Sequence, residues 1–323
     1  MEEYVTIPLQ LSEHSVDDHT RDVLAKEIGD RLADAEFDPD RETAILARIG
    51  AHVLRGRLPV DVLDAVTSFT GSGCHALLVD NLVVPKVPPT PVNGFCDEAP
   101  LAVVNAIQFG MIQLLGLTPF AVPYENEGRL IRNVVPNPAA AGQTSSWGSD
   151  AEFFWHTDNP HLPFGEEGYD PRPYVPRYLT FCTLRNLEEV PTELMSVESA
   201  THGLDRELGR LLASASYEIS APDSNDVSEG GDRLALRGAP VLEQSETGLR
   251  VRFDLGTTSS RRHEATTALA SWADTLAEGP AWDPVLRAGQ FLAFDNYRVL
   301  HRRKAFTARH DDNARWLRRC YAS

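Results

Sequence analysis

Apolar residues recur at three- and four-residue spacing through the first third of the chain, and this period predicts helices there. Val16–Ala33 and Glu42–Leu54 carry it, with Ile45, Leu46, Ile49 and Val53 on one face of the second segment, and a short third helix is expected after Pro59. Behind Gly71-Ser72-Gly73, the run Ala76–Val79 reads as a strand, the proline-rich Val83–Pro91 as an extended connection, and Leu101–Leu117 as another apolar helix. From Phe120 onward the pattern changes to short strands separated by Gly, Pro, Asn and Asp. They are expected at Phe120–Tyr124, Leu130–Val135, Tyr178–Leu184, Tyr217–Ser220, Pro240–Gln244, Leu249–Asp254 and Gln290–Phe294. Helices near Leu204–Ala213 and His263–Ala277 interrupt the series, and the Ala-, Gly- and Ser-rich stretch Pro136–Asp150 reads as a loop. This order predicts an α+β fold: a distorted jelly roll rather than a parallel sheet, within one catalytic domain spanning 1–323. Residues 1–117 form its mainly helical part and 118–323 its β core with insertions.

Composition narrows the function. The hydrophobic fraction of 42% lets a sizeable core form, and no stretch of about 18 apolar residues is present to span a membrane. Cys74, Cys96, Cys182 and Cys320 are scattered without a CxxC pair, which argues against a disulfide framework or a structural zinc site. The opening Met1-Glu2-Glu3-Tyr4 lacks a secretory pattern, so a soluble cytoplasmic protein is expected. A net charge of −17 argues against a nucleic-acid backbone as partner. The local exception is the basic cluster of Arg298, Arg302, Arg303, Lys304, Arg309, Arg315, Arg318 and Arg319, suited in part to small anions.

The segment Trp155-His156-Thr157-Asp158 is the first chemical signal. Residues i and i+2 of an extended segment point the same way, so the imidazole and the carboxylate of an H-x-D unit converge. A distant histidine would complete a 2-His-1-carboxylate triad, which leaves three positions open on Fe(II). His301, following the apolar run Gln290–Phe294, is the candidate; His14, His19, His52, His75, His202, His263 and His310 suit surface or packing roles, and a ligand at His161 would need a sharp turn back. Fourteen residues after His301 stands Arg315, whose planar fork suits the distal carboxylate of 2-oxoglutarate. If Arg315–Arg319 is extended, Arg315, Leu317 and Arg319 share one face, with Trp316 and Arg318 on the other. Phe153, Phe154 and Trp155 are candidates to wall the site or to pack as core.

Together these residues resemble the clavaminate synthase-like branch of the Fe(II)/2-oxoglutarate dioxygenases, of TauD/TfdA type, a group that includes β-hydroxylases of free arginine and asparagine. The resemblance rests on Glu127-Gly128-Arg129-Leu130, Trp155-His156-Thr157-Asp158, Leu184-Arg185-Asn186, Phe294-Asp295-Asn296 with His301, Arg303-Lys304-Ala305-Phe306 and Arg315-Trp316-Leu317-Arg318-Arg319. It implies a double-stranded β-helix core, iron held by His156, Asp158 and His301, and 2-oxoglutarate held by Arg315 with help from Thr192, with O2 as the other co-substrate. It further implies that Arg319 holds a substrate α-carboxylate and that Glu125 and Ser146 contact the amino-acid end. The carboxylate ligand is often Glu in this group and is Asp158 here. Where the arginine hydroxylase has two acids, this chain has Arg252 and Asp254, which argues against free arginine and for a neutral or anionic side chain. The expected activity is hydroxylation of Cβ or Cγ of an amino-acid-like substrate, free or carrier-bound, in natural-product biosynthesis such as that of antibiotics. Desaturation, epoxidation or ring closure by the same chemistry stays open. A zinc hydrolase on the same ligands leaves Arg315 without a role, and a non-catalytic binding protein leaves the whole set without one.

Overall fold

The structure, a computed structural model, describes residues 9–38, 41–82, 87–140, 152–165, 173–222 and 234–323. Strand β1 (Leu11–Ser15) precedes three helices, α1 (Asp18–Ala33), α2 (Thr43–Arg57) and α3 (Val60–Ser72), and then come β2 (Ala76–Asp80) and α4 (Ala102–Leu114). Asp17 caps α1 by accepting the Thr20 N–H at 2.8 Å, and Gly73, left-handed at φ 79°, ends α3. Helix α3 is longer than its pattern suggests, because Val62, Val66 and Phe69 recur on one face and are buried. Helices α2 and α4 touch through glycines: a Cβ on Gly50 would lie 1.7 Å from the Ala106 carbonyl oxygen, and one on Gly110 would lie 2.6 Å from Ala51 N.

The rest of the chain supplies β3 (Pro119–Phe120), β4 (Ile131–Val134), β5 (Phe153–His156), β6 (Tyr178–Arg185), β7 (Glu193–Ser196), α5 (Val197–Thr201), α6 (Arg206–Leu212), β8 (Tyr217–Ser220) and β9 (Ala235–Ala239). Then follow β10 (Leu242–Ser245), β11 (Gly248–Val251), β12 (Thr258–Ser259), α7 (His263–Glu278), β13 (Phe291–Asp295), β14 (Val299–Arg303) and β15 (Trp316–Ala322). The expected strand at Phe120–Tyr124 is cut to two residues, because the chain turns at once and Glu125 N–H bonds the Val122 carbonyl at 3.0 Å. Short strands β1, β7 and β9 escape the hydrophobic pattern, as does β14, which carries His301.

The largest sheet runs β1-β2-β13-β6-β15-β3, with β4 also paired to β15; only β1–β2 is parallel. Both its faces are buried. On one, Leu77, Val79, Cys182, Phe291, Ala293, Trp316 and Cys320 pack against α1–α4. On the other, Leu78, Leu179, Phe181, Leu292, Phe294 and Leu317 meet Leu194 and Val299 of a second sheet, β5-β14-β7. Two sheets, antiparallel but for β1–β2, share an apolar interior and make the jelly-roll sandwich, and the helices cap its outer face. No helix among the described residues is long and apolar enough to cross a membrane.

Candidate active site

The second sheet aligns the two histidines. In the β5–β14 ladder His301 stands opposite His156, although one lies at a strand end and the other 145 positions further on. The register then shifts, so that Arg303 faces Phe153 rather than Phe154. That irregularity brings Phe153 to the His156 side, where the rings stack at 3.6 Å between centroids. Trp155 points away, fully buried under the Arg302 guanidinium at 4.5 Å. Of the three aromatic residues, Phe153 walls the cavity and Trp155 is core.

Asp158 is carried back towards the histidines by a short bend. Thr157 faces the neighbouring chain segment, giving its N–H to the Phe253 carbonyl (2.8 Å) and accepting the Phe253 N–H (3.2 Å). Asn296 grips the Asp158 main chain from both sides: its Oδ1 accepts the Asp158 N–H (2.9 Å) and its Nδ2 donates to the Asp158 carbonyl (3.1 Å). Asp158 Oδ1 then lies 3.6 Å from His156 Nε2 and 3.6 Å from His301 Nε2. The three side chains are buried, and their ligand atoms lie within 4.8 Å of one another.

This donor set fits a divalent metal. An ion about 2.1 Å from each nitrogen or oxygen ligand spans atoms up to about 4.2 Å apart, and both 3.6 Å spacings from Asp158 to the histidines lie within that reach. His156 Nδ1 donates to the Phe154 carbonyl at 2.7 Å, which fixes the tautomer and leaves a buried Nε2 with no hydrogen-bond partner. Burial and the neighbouring His156 push His301 well below its ordinary value, so its imidazole is neutral and able to ligate. Asp158 is held well below the usual carboxylate range: burial opposes its ionisation, but the Arg319 guanidinium beside it outweighs that.

The same cavity is lined by Val134, Phe153, Phe181, Thr192, Arg302, Arg303, Arg315, Leu317 and Arg319 beside His156, Asp158 and His301. Thus β15 is extended as its alternation implies, with Arg315, Leu317 and Arg319 on the cavity side. Arg315 is 4% exposed and forms no ion pair among the described residues. Its Nη2 reaches Thr192 Oγ1 at 3.4 Å and its Nε has no partner. Burial and the nearby Arg303 guanidinium both depress the Arg315 pKa, an environment that an incoming anion would relieve. Its neighbours in the basic cluster differ: Arg298 pairs with Glu198, Arg302 and Lys304 with Glu193, and Arg309 with Asp311.

Arg319 and Glu125, each expected to hold one end of a substrate, bind each other. Arg319 donates to Glu125 and, through Nη1, to Asp158 Oδ2 at 2.7 Å. Arg132, Asn159 and Tyr321 complete the shell of Glu125 at 2.9, 3.2 and 3.0 Å. No spacing rule singles out these three, although Arg132-Asn133 inside an apolar strand is a visible anomaly.

Arg252 and Asp254 lie outside the cavity lining. Arg252 sits 3.9 Å over the Phe164 ring, donates to the Leu162 carbonyl (3.0 Å) and has Glu243 at 3.5 Å. Asp254 accepts the Gly256 N–H at 2.8 Å within its own turn. Ser146 lies outside the described residues.

Comparison with known proteins places this arrangement. The family model described as taurine catabolism dioxygenase TauD, TfdA family, matches residues 106–321. An enduracididine beta-hydroxylase of Streptomyces hygroscopicus is 26% identical over 236 residues, which is 66% of this chain and 65% of that protein, just short of two thirds of its length. An L-lysine 3-hydroxylase of Catenulispora acidiphila is 23% identical over 284 residues, 84% of this chain and 74% of that protein. Among solved structures, an asparagine oxygenase with Fe(II), hydroxyasparagine and succinate superposes with a TM-score of 0.79 at 21% identity, covering 96% of this chain and 92% of that one. The non-heme iron oxygenase OrfP with Fe and alpha-ketoglutaric acid gives 0.76 at 24% identity, covering 96% and 93%. At these identities the two structures show a shared fold.

Proposed function

Because the chain belongs to the TauD/TfdA dioxygenase family, we propose that it is an Fe(II)- and 2-oxoglutarate-dependent oxygenase that hydroxylates an unactivated C–H bond, at Cβ or Cγ, of an amino acid. One observation carries the reading: Arg315, a buried guanidinium with no ion pair among the described residues, opens into the same cavity as a buried His-Asp-His triad. A zinc hydrolase needs only the triad; a keto-diacid chelated at a metal needs a cation at its far end as well.

In this reading His156, Asp158 and His301 hold the metal, and Arg315 with Thr192 pairs the distal carboxylate of 2-oxoglutarate. Bound Fe(II) with 2-oxoglutarate and O2 supplies the oxidation, in which the keto acid ends as succinate and CO2 and the substrate gains one oxygen. The chain's own work is placement. Phe153, Phe181, Val134 and Leu317 exclude water around the triad, and Arg319 with Glu125 orients the charged amino-acid end, assisted by Ser146. A guanidinium has five N–H donors, so Arg319 retains donors for a substrate carboxylate beyond those bound to Asp158 and Glu125. Residues 1–323 act as one catalytic domain, supported by helices and sheet sharing a core.

The relatives are named for enduracididine, lysine and asparagine, which supports an amino acid as substrate class. Arg250 and Arg252 both stand over Phe164, at 5.2 and 3.9 Å, with Asp254 next along the same chain segment. The pair lies outside the cavity lining, and Arg252 is already matched by Glu243 at 3.5 Å. Its bearing on the substrate is only that an arginine stands where a second acid would favour a cationic side chain, so a neutral or anionic end fits better. Screening free L-amino acids for substrate-stimulated succinate release with Fe(II), ascorbate and 2-oxoglutarate tests the reading, and mass detection of one added oxygen identifies the product. The reading falls if the protein releases no succinate above a no-enzyme blank, or if zinc alone restores activity to metal-stripped protein.

A further inference from the structure

The two oxygens of Asp158 face different groups. Oδ1 lies 3.6 Å from each imidazole Nε2, whereas Oδ2 accepts a hydrogen bond from Arg319 Nη1 at 2.7 Å. Neither partner is free to swing. Asn296 holds the Asp158 main chain on both sides, and Arg319 is itself bound to Glu125 and lies 4.3 Å over the Tyr321 ring. Arg132, 2.9 Å from Glu125, closes a chain of buried groups with alternating charge: Asp158, Arg319, Glu125, Arg132.

A carboxylate with both oxygens unengaged can take a metal through one oxygen or through two. The difference matters here, because a 2-His-1-carboxylate centre works by leaving three positions open. Two are needed by a chelating keto acid, and a second Asp158 oxygen would fill the one left for O2. Resting on the oxygenase reading above, we propose that Arg319 is a positioning residue that holds Asp158 as a one-oxygen ligand and so keeps the O2 position open. Arginine is well suited to this role, because its planar fork stays charged when desolvated and sends one nitrogen to Asp158 and another to Glu125, so its own direction is fixed. The nearby His161, Asn159 and Tyr321 carry no charge to compete for Oδ2.

The decisive measurement uses the unaltered protein and zinc alone. An infrared difference spectrum between zinc-loaded and metal-free protein reports how the ligand carboxylate binds. A wide separation of its asymmetric and symmetric stretches is the expected result; a collapsed separation, typical of two-oxygen binding, overturns the proposal while leaving the triad intact. Failure to bind zinc at all would instead remove the metal centre itself. In Arg319→Gln the separation should narrow. Nitric oxide, a probe of the open position, should then give an adduct whose electron paramagnetic resonance signal on the anaerobic Fe(II)/2-oxoglutarate protein is weaker by about tenfold. The charge-transfer band of bound 2-oxoglutarate should persist, and Arg319→Lys, which restores a cation, should recover much of the signal. A folded Arg319→Gln protein that binds 2-oxoglutarate and gives the full nitric oxide signal sinks the proposal.

Discussion

Arg315 and Arg318 stand three residues apart, both nearly inaccessible, yet on opposite faces of the β15 segment they meet opposite fates. Arg318, on the helical side, donates to Glu98 (2.5 Å), Asn105 (2.7 Å) and Asn133 (2.8 Å), and Trp316 joins it on Asn133 (2.8 Å). Arg315, on the sheet-sandwich side, has one long contact to Thr192 and no ion pair among the described residues. The Glu188 carboxylate near it uses Oε1 on the backbone N–H groups of Arg309 and Arg315. Burying a charge is tolerated only when something compensates it. One face of the strand carries its compensation within the chain; the other has the form of a site completed by a ligand. The difference separates residues that hold the fold from residues that serve the chemistry, and it can be tested by asking which property each substitution moves.

The largest effect should come from the site face. His301→Ala should bring succinate release down to the no-enzyme blank while the urea midpoint stays near that of the unaltered protein; near-normal turnover would remove His301 from the metal centre. On the opposite face, Arg318→Met removes the cation from Glu98, whose carboxylate keeps Asn105, while Asn133 keeps Trp316. Breaking a buried charge pair from one side costs about 3–5 kcal/mol, so the urea midpoint should fall sharply, while 2-oxoglutarate affinity of the folded fraction should hold. Arg315→Ala should do the reverse. Loss of a hydrogen-bonded charge worth about 1.5–3 kcal/mol should raise the 2-oxoglutarate requirement roughly ten- to a hundredfold, with stability unchanged or improved. An unchanged requirement would dissolve the contrast between the two arginines.

Two smaller effects sharpen the helical side. Gly50→Ala forces a methyl group against the Ala106 carbonyl, and overpacking of this kind costs about 1–3 kcal/mol, which thermal unfolding would show without a change in metal binding. The Glu198 carboxyl, raised by burial but lowered more by hydrogen bonds from His75 and Arg298, is brought down from 4.5 to about 2. Its folded value lies below its unfolded one, so its stabilisation is present above about pH 4.5 and disappears as the pH falls towards 2. Denaturation followed from about pH 6 to about pH 3 should show Glu198→Gln losing less stability than the unaltered protein.

Helices α1, α2 and α7 were legible because each buries one stripe, and a 3.6-residue period records that directly, whereas α4, buried without a break from Val104 to Ile112, was legible as a long apolar run. Strands β6 and β13 were legible as apolar runs buried on both faces, and β8 as an alternation buried on one. Strand β14 was not: Val299-Leu300-His301-Arg302-Arg303 reads as a charged segment, and it is a strand because Glu193 neutralises Arg302 and β5 and β7 supply its ladder. The register shift that turns Phe153 onto His156 has no trace in local composition, since it depends on which residue of a distant strand lies opposite.

The sequence by itself determined the donor types and their order along the chain: an H-x-D unit, a later histidine, an arginine fourteen positions beyond, and an alternation in β15 that sorts Arg315 and Arg319 from Arg318. Those are properties of covalent spacing and strand period, which need no partner. Only the tertiary structure decided that His301 meets His156, that Arg319 lies on Asp158 and Glu125 as a fixed pair, and that Arg252 rests against Phe164 outside the cavity. Each of those outcomes is a choice of partner for a charge or a ring, settled by which distant segments the folded sheets bring within a few ångströms.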